Sequence, residues 1–336
     1  MTQNNYFSLK FEKDKLIYLD QTKLPLEENY IETDDFERIA EGIERLEIRG
    51  APLIGIAAAY ALTLSVKNVK KELVSAFDKA YVRLKVTRPT AVNLFWAIDE
   101  MKNVFKSNQN SDDIYQVLLK HAKEIHHKDE DYCVRMGKNG LNIFKKKSVV
   151  LTHCNTGKLA TGGDGTAFSV IKTAFENNLV EYVYADETRP LLQGSRLTAY
   201  ELDKCGIPFS IQSDSSAAVL MKQGKIDLVI TGADRIALNG DAANKIGTYN
   251  LALISYHHNI PFYIAAPSTT IDRNIASGDQ IKIEYRDKSE LLSINKSQIT
   301  LPDYQAFMPA FDVTPSHLIK GIITEEGVYN FPYNFI

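Results

Sequence analysis

Short, mainly apolar runs alternate with segments of helical periodicity in the second half of the chain. Five runs have the length and the flanking turn residues of buried strands, and they lie at residues 148–153, 181–185, 207–212, 226–231 and 261–266. Helical segments separate most of these runs. A β-α alternation of this kind predicts a parallel sheet that helices cover on both faces.

The first part of the chain has a different pattern, in which helical periodicity dominates. We predict a strand at residues 16–19, a helix from an N-cap at Thr33 through Leu46, a helix that begins near Pro52, and further helices at 74–84, 91–104 and 114–125. The polar segments 126–131 and 145–147 place a domain boundary within residues 125–147. We therefore predict an α/β protein with a smaller, mixed and mainly helical domain at residues 1–130 and a parallel-sheet domain at residues 131–336.

Composition narrows the class of protein. The chain has 336 residues, of which 44% are hydrophobic, and this is typical of a globular protein with two domains. A net charge of −3 offers no electrostatic basis for binding nucleic acid or a membrane. Three cysteines, an odd number in a chain of this length, indicate a reducing compartment. Residues 1–5 do not resemble a signal peptide and no apolar run could span a bilayer, so we expect a cytoplasmic protein.

Each predicted strand is followed by a polar or conformationally special residue. These residues are Cys154, Asp186, Asp214, Asp234 and the pair Pro267–Ser268. The carboxyl ends of parallel strands lie along one edge of a sheet, and the crevice there is where open α/β sheets bind ligands. We therefore expect the functional site at this edge.

Cys154 stands between a predicted strand and a glycine-rich turn that leads into a helix. Amide groups at a helix amino terminus can hold an anion, so a thiol at this position is well placed for chemistry. Asp234 follows the fourth strand and is expected to face the same crevice. A thiol and a carboxyl group in one pocket are candidates for a catalytic acid and base. The alternatives are that Cys154 is a small buried apolar side chain and that Asp234 is paired with Arg235.

Two arginines stand just before predicted helices. Arg49 precedes the helix that begins near Pro52. Arg88 precedes the helix at 91–104 in the same way. A guanidinium group beside free helix amides can bind a phosphate monoester, so we predict a phosphate clamp. The alternative at each position is an ordinary helix start with a solvated arginine.

Three further polar side chains are candidates for contact with a sugar phosphate. Gln193 has an amide that both donates and accepts hydrogen bonds. Asn244 and Lys245 lie within 239–248, which we predict to be a turn that runs into a small-residue helix. There they could bind hydroxyl and phosphate groups. For the lysine, a solvated surface charge is the alternative.

We expect the protein to need no cofactor. The histidines at 126–127 and at 257–258 form adjacent pairs, which point apart on a helix and do not make a metal site. The glycines at 162, 163 and 165 match neither a Walker loop nor the full dinucleotide fingerprint. We therefore expect neither ATP nor NAD to bind.

Seven ordered blocks of the sequence resemble the methylthioribose-1-phosphate isomerase family, at residues 49–60, 87–99, 151–171, 183–202, 232–253, 261–272 and 311–329. That family is itself similar to the regulatory subunits of translation initiation factor 2B and to archaeal ribose-1,5-bisphosphate isomerase. The resemblance implies a homodimer in which a small amino-terminal domain precedes a Rossmann-like catalytic domain. It also implies that Cys154 and Asp234 are the catalytic pair. The substrate-binding residues that it implies are Arg49, Gly50, Ala51, Arg88, Gln193, Asn244 and Lys245.

The activity implied by the resemblance is isomerisation of 5-methylthioribose 1-phosphate to 5-methylthioribulose 1-phosphate, a step of methionine salvage. The sequence departs from the family at Asp164, where an aromatic residue is usual, and at Ser215–Ser216, where Asn-Met is usual. These departures leave open 5-deoxyribose 1-phosphate as the substrate, with 5-deoxyribulose 1-phosphate as its product. A second alternative is a non-catalytic sugar-phosphate or nucleotide sensor like the initiation-factor relatives. The presence of both Cys154 and Asp234 favours an enzyme.

Overall fold

The structure is a computed structural model that describes residues 6–69, 71–88, 92–294 and 297–335. The chain forms two compact units, of which the first contains residues 6–133 and 157–165 and the second contains residues 134–156 and 166–335. The segment 157–165 therefore packs within the first unit, whereas the sequence pattern placed it in the second domain. That the parts 1–130 and 131–336 are separate folding domains stays a prediction.

The first unit combines a small antiparallel sheet with helices. In chain order its elements are β1 (Leu9–Glu12), β2 (Lys15–Leu19), β3 (Tyr30–Thr33), α1 (Phe36–Glu44), α2 (Ala51–Ser65), α3 (Leu73–Lys85), α4 (Val92–Asn108) and α5 (Ile114–Gly140), within which the first unit ends. The strands pair in the order β1-β2-β3. Helix α2 is apolar on all sides and is buried from Leu53 to Ser65, because the rest of the unit packs around it.

The start of α1 differs from the prediction. Asp35 is the N-cap, and its carboxylate accepts a 2.9 Å hydrogen bond from the amide of Glu37. The predicted cap, Thr33, is the last residue of β3, and the helix ends at Glu44 instead of Leu46. Both Thr33 and Asp35 can cap a helix, and the pairing of β3 with β2 decides between them.

The polar segment 126–131 is part of α5 and not the start of a linker. Buried residues continue on one side of the helix from Ile125 to Cys133 and Met136. Among the polar residues between them, His127, Lys128 and Asp131 are exposed. His126 packs against Tyr60, and Asp129 accepts a 2.6 Å hydrogen bond from the amide of Gly162. A long run of charged residues is thus compatible with helix when apolar positions keep the helical spacing.

The second unit is a mixed α/β structure. Its strands in chain order are β4 (Ser148–Thr152), β5 (Val180–Asp186), β6 (Phe209–Gln212), β7 (Leu228–Thr231), β8 (Arg235–Ala237), β9 (Ala242–Lys245), β10 (Phe262–Ala265), β11 (Ile271–Asp272), β12 (Ser293–Ile294), β13 (Ser297–Gln298), β14 (Phe311–Thr314), β15 (Gly321–Ile323) and β16 (Val328–Asn330). Its helices are α6 (Ala167–Glu176), α7 (Ala199–Lys204), α8 (Ala217–Lys222), α9 (Thr248–His257) and α10 (Ser289–Leu292). Among the described helices of the whole chain, none combines the length and the apolar character needed to cross a membrane.

Seven strands of this unit form one sheet in the order β16-β15-β10-β7-β4-β5-β6. All its neighbouring strands are parallel except β15 and β16, which are antiparallel. Adjacent residues on β4 point to opposite faces, since Val150 packs in a buried cluster with Phe168 of α6 and Leu151 in another with Leu251 of α9. Helices therefore cover both faces, and the predicted α/β parallel-sheet fold is confirmed.

The sheet order reverses direction next to β4. After β4 the chain builds β5 and β6 on one side, and then β7, β10 and β15 on the other. β4 and β7 are therefore neighbours, with Val150 paired to Leu228 and Leu151 to Val229. The crevice outside the carboxyl ends of two such strands is the topological switch point, where doubly wound sheets bind ligands.

A smaller sheet, in the order β11-β8-β9-β14, contains the segment predicted to be a turn and a helix. β9 is antiparallel to both β8 and β14, and Asn244 pairs with Asp312. The prediction for residues 239–248 is therefore wrong, because Asn244 and Lys245 lie on a strand and α9 begins at Thr248. The small residues there suit either structure, and pairing with a strand far along the chain decides.

Candidate active site

Cys154 follows β4 at the switch point. It is nearly buried, with 8% of the residue exposed. Its backbone has a φ of 64°, in the left-handed region that residues with a side chain seldom adopt. Such a conformation costs of order 1–3 kcal/mol and persists only where neighbouring groups hold it.

Two threonine hydroxyl groups hold this backbone. The amide of Cys154 donates a 2.9 Å hydrogen bond to Oγ1 of Thr188. The carbonyl oxygen of Cys154 accepts a 2.6 Å hydrogen bond from Oγ1 of Thr198. Both threonines are buried, so the polar backbone groups of Cys154 are satisfied although β4 has ended.

Asn155 anchors the residue after the cysteine. Its Nδ2 donates a 2.6 Å hydrogen bond to the carboxylate of Glu201, which is fully buried. Its Oδ1 is buried and has no hydrogen-bond partner among the residues that the structure describes. Since a buried acceptor without a donor is costly, a donor group of a ligand would stabilise it.

Asp234 lies in the turn after β7 and is partly exposed. Its amide donates a 2.9 Å hydrogen bond to the carbonyl of Ala243 in β9, which fixes the turn. The turns after β4 and β7 touch, because an ideal Cβ on Gly232 would lie 2.8 Å from Cγ2 of Thr156. The fold thus brings the segments that carry Cys154 and Asp234 together at the switch point.

Arg235, the alternative partner of Asp234, begins β8. Its guanidinium group lies 3.8 Å from the carboxylate of Asp272 in β11, the strand that pairs with β8. The arginine therefore contacts a carboxylate other than that of Asp234.

Gln193 is buried close to the threonine that supports the cysteine. It is 3% exposed, and its Oε1 has no hydrogen-bond partner in the described part of the chain. The next residue, Gly194, begins a π-helical turn, and its ideal Cβ would lie 1.6 Å from the carbonyl oxygen of Asp186 and 2.9 Å from Oγ1 of Thr188. Only glycine allows this approach. The buried amide oxygen of Gln193 is suited to accept a hydrogen bond from a ligand hydroxyl.

β9 positions Asn244 and Lys245. Asn244 is buried, and its Nδ2 donates a 3.0 Å hydrogen bond to Oγ1 of Thr248 at the start of α9. The ammonium group of Lys245 donates a 2.8 Å hydrogen bond to the carbonyl of Ala310 and lies 4.4 Å from the centre of the Phe311 ring. The lysine is therefore an ordered cation and not a solvated surface charge.

In the first unit, Arg49, Gly50 and Ala51 form the start of α2. Gly50 is the N-cap with a φ of 86°, and its ideal Cβ would lie 2.4 Å from Cα of Ala160, so only glycine permits this approach to the segment 157–165. No side chain caps this end of α2 among the described residues. Nη1 of Arg49 is buried and, within the described ranges, has no hydrogen-bond partner. A cation beside uncapped helix amides has the chemistry of an anion site.

Arg88 is partly buried and precedes α4 in the same unit. The helix start that the sequence predicts at Pro89–Ala91 lies outside the described residues. The phosphate clamp formed by Arg49 and Arg88 stays a prediction.

A buried charged pair beside Cys154 was not predicted from the sequence. His153 is 1% exposed, its Nδ1 lies 2.9 Å from Oδ2 of Asp186, and its Nε2 lies 3.0 Å from the carbonyl of Ile246. Both ring nitrogens face oxygen atoms, and this arrangement favours the imidazolium form, in which both nitrogens carry protons. Burial lowers the pKa of His153, but the hydrogen bond and the charge of Asp186 outweigh it, so that the pKa is raised above its usual value.

Burial acts in the opposite sense on the partner, since it raises the pKa of Asp186 against the effects of His153 and Gln212. Both partners thus hold protons more strongly than usual. The ion pair is nevertheless favoured, because Oδ1 of Asp186 accepts a 2.7 Å hydrogen bond from Gln212 while Oδ2 faces the imidazolium.

His153, Asp186 and Asp214 also have the spacing of a metal-binding set, with ligand atoms within 4.8 Å of one another. Donor protons already occupy these atoms, since the carboxylate of Asp214 accepts the amides of Thr188 at 2.7 Å and of Arg189 at 2.8 Å. A cation would have to displace these hydrogen bonds. The arrangement is that of a hydrogen-bonded ion pair, and independence from metals stays a prediction.

Sequence reasoning recognised Asp186 and Asp214 as residues at strand ends but missed their task. It also missed Thr188 and Thr198. The one signal for Asp186 and Asp214 is their position at the carboxyl ends of two neighbouring strands, β5 and β6. For the threonines no local signal exists, because their role depends on the positive φ of Cys154 and on contacts across the sheet.

Comparison with known proteins identifies the family. The sequence pattern of the initiation factor 2 subunit family matches residues 47–331. A methylthioribose-1-phosphate isomerase from Caldicellulosiruptor saccharolyticus is 50% identical over 330 residues, which cover 96% of this chain and 96% of the relative. The chain belongs to the methylthioribose-1-phosphate isomerase family. The family predicted from the sequence blocks is thereby confirmed.

Solved structures of this isomerase family and its relatives share the fold. The crystal structure of 5-methylthioribose 1-phosphate isomerase from Pyrococcus horikoshii has a TM-score of 0.93 and 38% identity, over 99% of this chain and 96% of that one. The crystal structure of the translation initiation factor eIF-2B, subunit delta, from A. fulgidus has a TM-score of 0.88 and 38% identity, over 98% and 97% of the two chains. The architecture predicted for the isomerase family is therefore present here.

Proposed function

We propose that this protein is an aldose–ketose isomerase that converts 5-methylthioribose 1-phosphate to 5-methylthioribulose 1-phosphate. The observation that carries the proposal is the placement of Cys154 and Asp234 on touching turns after β4 and β7, at the switch point. A relative named for this substrate, 50% identical, supports it. The metabolic role that fits is methionine salvage. The three cysteines, Cys133, Cys154 and Cys205, are not in disulfides, and this suits a cytoplasmic location.

The substrate poses a specific chemical difficulty. Its anomeric carbon, C1, bears the phosphate, so the ring must open while the phosphate stays in place. We assign the first step to Asp234, whose carboxyl proton goes to the ring oxygen as the electrons of the C1–O bond move to that oxygen. The electron-poor C1 then gains hydrogen at the expense of C2. The product has a ketone at C2 and a CH₂ group that bears the phosphate at C1.

Two routes complete the reaction. In the first, a hydride moves with its electron pair from C2 to C1, the carboxylate of Asp234 takes the 2-hydroxyl proton, and neutral Cys154 orients the reacting carbon. In the second, the thiolate of Cys154 takes the C2 proton to leave an enol, and the thiol then returns a proton to C1 while Asp234 takes the hydroxyl proton. Deuterium placed at C2 stays in the product by the first route and is diluted by solvent protons in the second.

A turnover assay tests the proposal. The purified protein is incubated with 5-methylthioribose 1-phosphate or 5-deoxyribose 1-phosphate, and ketose formation is followed. We expect both sugars to react, with kcat/KM values that differ by about 10–200-fold and no more, because an apolar pocket discriminates weakly against a substrate that lacks one group. A lack of turnover with both sugars would contradict the proposal. Faster turnover of the deoxy sugar would make it the principal substrate.

The two departures from the family pattern can be tested in the same assay. Asp164 forms a 3.1 Å ion pair with Lys158, and Oγ of Ser216 lies 2.7 Å from Oγ of Ser213, so each has a local partner. If Asp164 or Ser216 lines the pocket for the 5-substituent, the double variant D164Y/S216M shifts the kcat/KM ratio toward the methylthio sugar. The expected shift is about fivefold, the effect of burying one more heavy group. An unchanged ratio assigns both departures to surface loops.

Arg49→Ala and Arg88→Ala are each expected to weaken sugar-phosphate binding about 10- to 150-fold, since each removes a charge-assisted contact with a dianion. The measurements are KM and the inhibition constant of inorganic phosphate. Arg45→Ala is the matched control, because that side chain is 63% exposed and forms a surface pair with Glu41. Unchanged phosphate inhibition in both variants would place the phosphate site elsewhere.

We also propose that the protein acts as a homodimer. Helix α9 exposes Tyr249, Leu253 and Tyr256, whose spacing places them on one side of the helix. Tyr285 and Phe307 are exposed as well, and their rings pack edge to face at 5.7 Å. Exposed apolar groups of this size commonly mark protein interfaces, and a second copy of the chain is the partner that the family implies.

One observation favours a second function, namely a non-catalytic sugar-phosphate or nucleotide sensor. The solved relative from A. fulgidus, 38% identical, is named as a translation initiation factor subunit. Cys154 and Asp234 argue for an enzyme. Phosphate binding without turnover of either sugar would establish the sensor.

A further inference from the structure

Thr188 and Cys154 both have a strained backbone, and a hydrogen bond joins them. It has a φ of 63°, which is an outlier for a β-branched side chain, and Cys154 has a φ of 64°. Oγ1 of Thr188 accepts the amide of Cys154 at 2.9 Å and donates to the carbonyl of Asp186 at 3.1 Å. The hydroxyl proton of Thr188 points at the carbonyl of Asp186, so the hydroxyl oxygen is available to accept a hydrogen bond from the amide of Cys154.

The surroundings of Thr188 hold it in this conformation. Its amide donates a 2.7 Å hydrogen bond to the carboxylate of Asp214, and its carbonyl accepts a 2.8 Å hydrogen bond from the amide of Leu192. It is fully buried, and Gly194 packs against its Oγ1. A conformation that costs free energy is thus over-determined by hydrogen bonds from both sides, which is typical of functional sites.

We propose that Thr188 is a positioning residue for the isomerase reaction, because its hydroxyl holds the backbone of Cys154 in the left-handed conformation that presents the thiol at the switch point. Thr188 contacts the cysteine backbone and acts through Cys154 only. The kinetic part of this inference rests on the proposed function, whereas its effect on the thiol does not.

Three substitutions at Thr188 distinguish the role of the hydroxyl group from that of the rest of the side chain. Thr188→Val removes the hydroxyl and keeps the shape, and Thr188→Ser keeps the hydroxyl. Thr188→Gly removes the hydroxyl and relieves the backbone strain, since glycine adopts a positive φ readily. Thr188→Gly is therefore the variant to measure if Thr188→Val does not fold. Thr63→Val is the matched control, because it removes a buried threonine hydroxyl that bonds to the carbonyl of Ala59 within α2 and has no part in the contacts of Cys154.

In kinetics, Thr188→Val and Thr188→Gly are expected to lower kcat about 10²-fold, the effect of a displacement of order 1 Å at a reacting group, with KM little changed. Thr188→Ser should recover most of this loss, and Thr63→Val should behave as the wild type. Wild-type kcat in Thr188→Gly, or an equal loss in Thr188→Ser, would overturn the proposal.

A second readout needs no substrate. The alkylation rate of each cysteine by iodoacetamide is measured by peptide mass spectrometry, with Cys205 as the internal reference. We expect the rate at Cys154 to change about tenfold in Thr188→Val and Thr188→Gly, as the loss of a buried hydrogen bond shifts the local equilibrium, and to stay unchanged at Cys205. An unchanged rate at Cys154 in both variants would overturn the proposal. Failure of the turnover assay with a changed alkylation rate would count against the proposed function alone.

Discussion

Cys154→Ser and Asp234→Asn are each expected to reduce kcat by roughly 10²–10⁴-fold while the protein stays folded. The reason is that each change removes one acid or base from the pair that the switch point brings together, and a positioned group of this kind contributes about that factor. Serine and asparagine keep the size of the side chains, so the backbone contacts of Cys154 with Thr188 and Thr198 are preserved. The measurement is kcat with saturating 5-methylthioribose 1-phosphate.

Two substitutions of the same chemical type serve as controls. Cys205→Ser changes a cysteine at the end of α7, and Asp279→Asn changes an exposed carboxylate. Both should keep wild-type turnover, because neither residue follows a strand at the switch point. If Cys154→Ser or Asp234→Asn keeps near-normal kcat and KM, the role assigned to that residue is wrong.

His153→Phe is expected to destabilise the protein by about 3–5 kcal/mol, measured as the free energy of unfolding in urea. The substitution keeps a ring of similar size but leaves the carboxylate of Asp186, which is 2% exposed, without its cation. His127→Phe is the matched control. His127 pairs with Glu130 at 2.8 Å with its side chain 73% exposed, and such a pair is worth about 0–1 kcal/mol.

The double variant H153F/D186L tests whether the loss comes from the unpaired charge. Replacing both partners of a buried ion pair by apolar groups is often close to neutral, so we expect most of the stability to return. A double variant as unstable as H153F would instead show that the histidine acts through packing and through its contact with Ile246.

The ion pair also predicts a pH dependence. The pKa of His153 in the folded state is raised above its usual value, by Asp186 directly and by the nearby charge of Asp214, although burial acts against them. Asp312 of β14 also acts on His153, and its carboxylate accepts the amides of Gly247 and Tyr249 at the start of α9. Burial raises the pKa of Asp312. The stability that protonated His153 contributes is therefore present in full below about pH 6.5 and is lost as pH rises through the raised pKa.

Urea unfolding of the wild type and of H153F/D186L at a series of pH values measures this contribution. Titrations of groups whose pKa the two substitutions leave unchanged cancel in the difference between the free energies of unfolding. We expect the free energy of unfolding of the wild type to fall relative to that of H153F/D186L as pH rises above about 6.5. The reason is that His153, whose pKa is raised in the folded state, loses its proton in this range. A difference that does not change with pH would mean that His153 is neutral in the folded protein.

Much of the fold follows from local pattern. Apolar runs predicted β4, β5, β7 and β10, because strands inside a parallel sheet need apolar residues on both faces. The edge strand β6 was predicted as well, although it is only partly buried. The start of α2 was predicted from Pro52, which suits the first turn of a helix. These elements could be predicted because burial and backbone preference act over a few residues.

The errors arose where distant pairing competes with local preference. Residues 242–245 became a strand because β8 and β14 flank them, although the small residues there also suit a helix. The segment 157–165 packs with the first unit although it lies between β4 and α6 of the second. Such choices depend on partners that are remote in sequence.

The sequence by itself determined the candidate chemistry and its location at strand ends, since Cys154 and Asp234 follow mainly apolar runs that predict buried strands. Only the tertiary structure decided that β4 and β7 are neighbours, that Thr188 and Thr198 hold the strained cysteine, and that His153 is buried against the carboxylate of Asp186. The physical reason is that hydrophobic periodicity records which side of an element is buried. The order of strands, the sign of φ and the partner of a buried hydrogen bond are set by contacts between residues far apart in the chain.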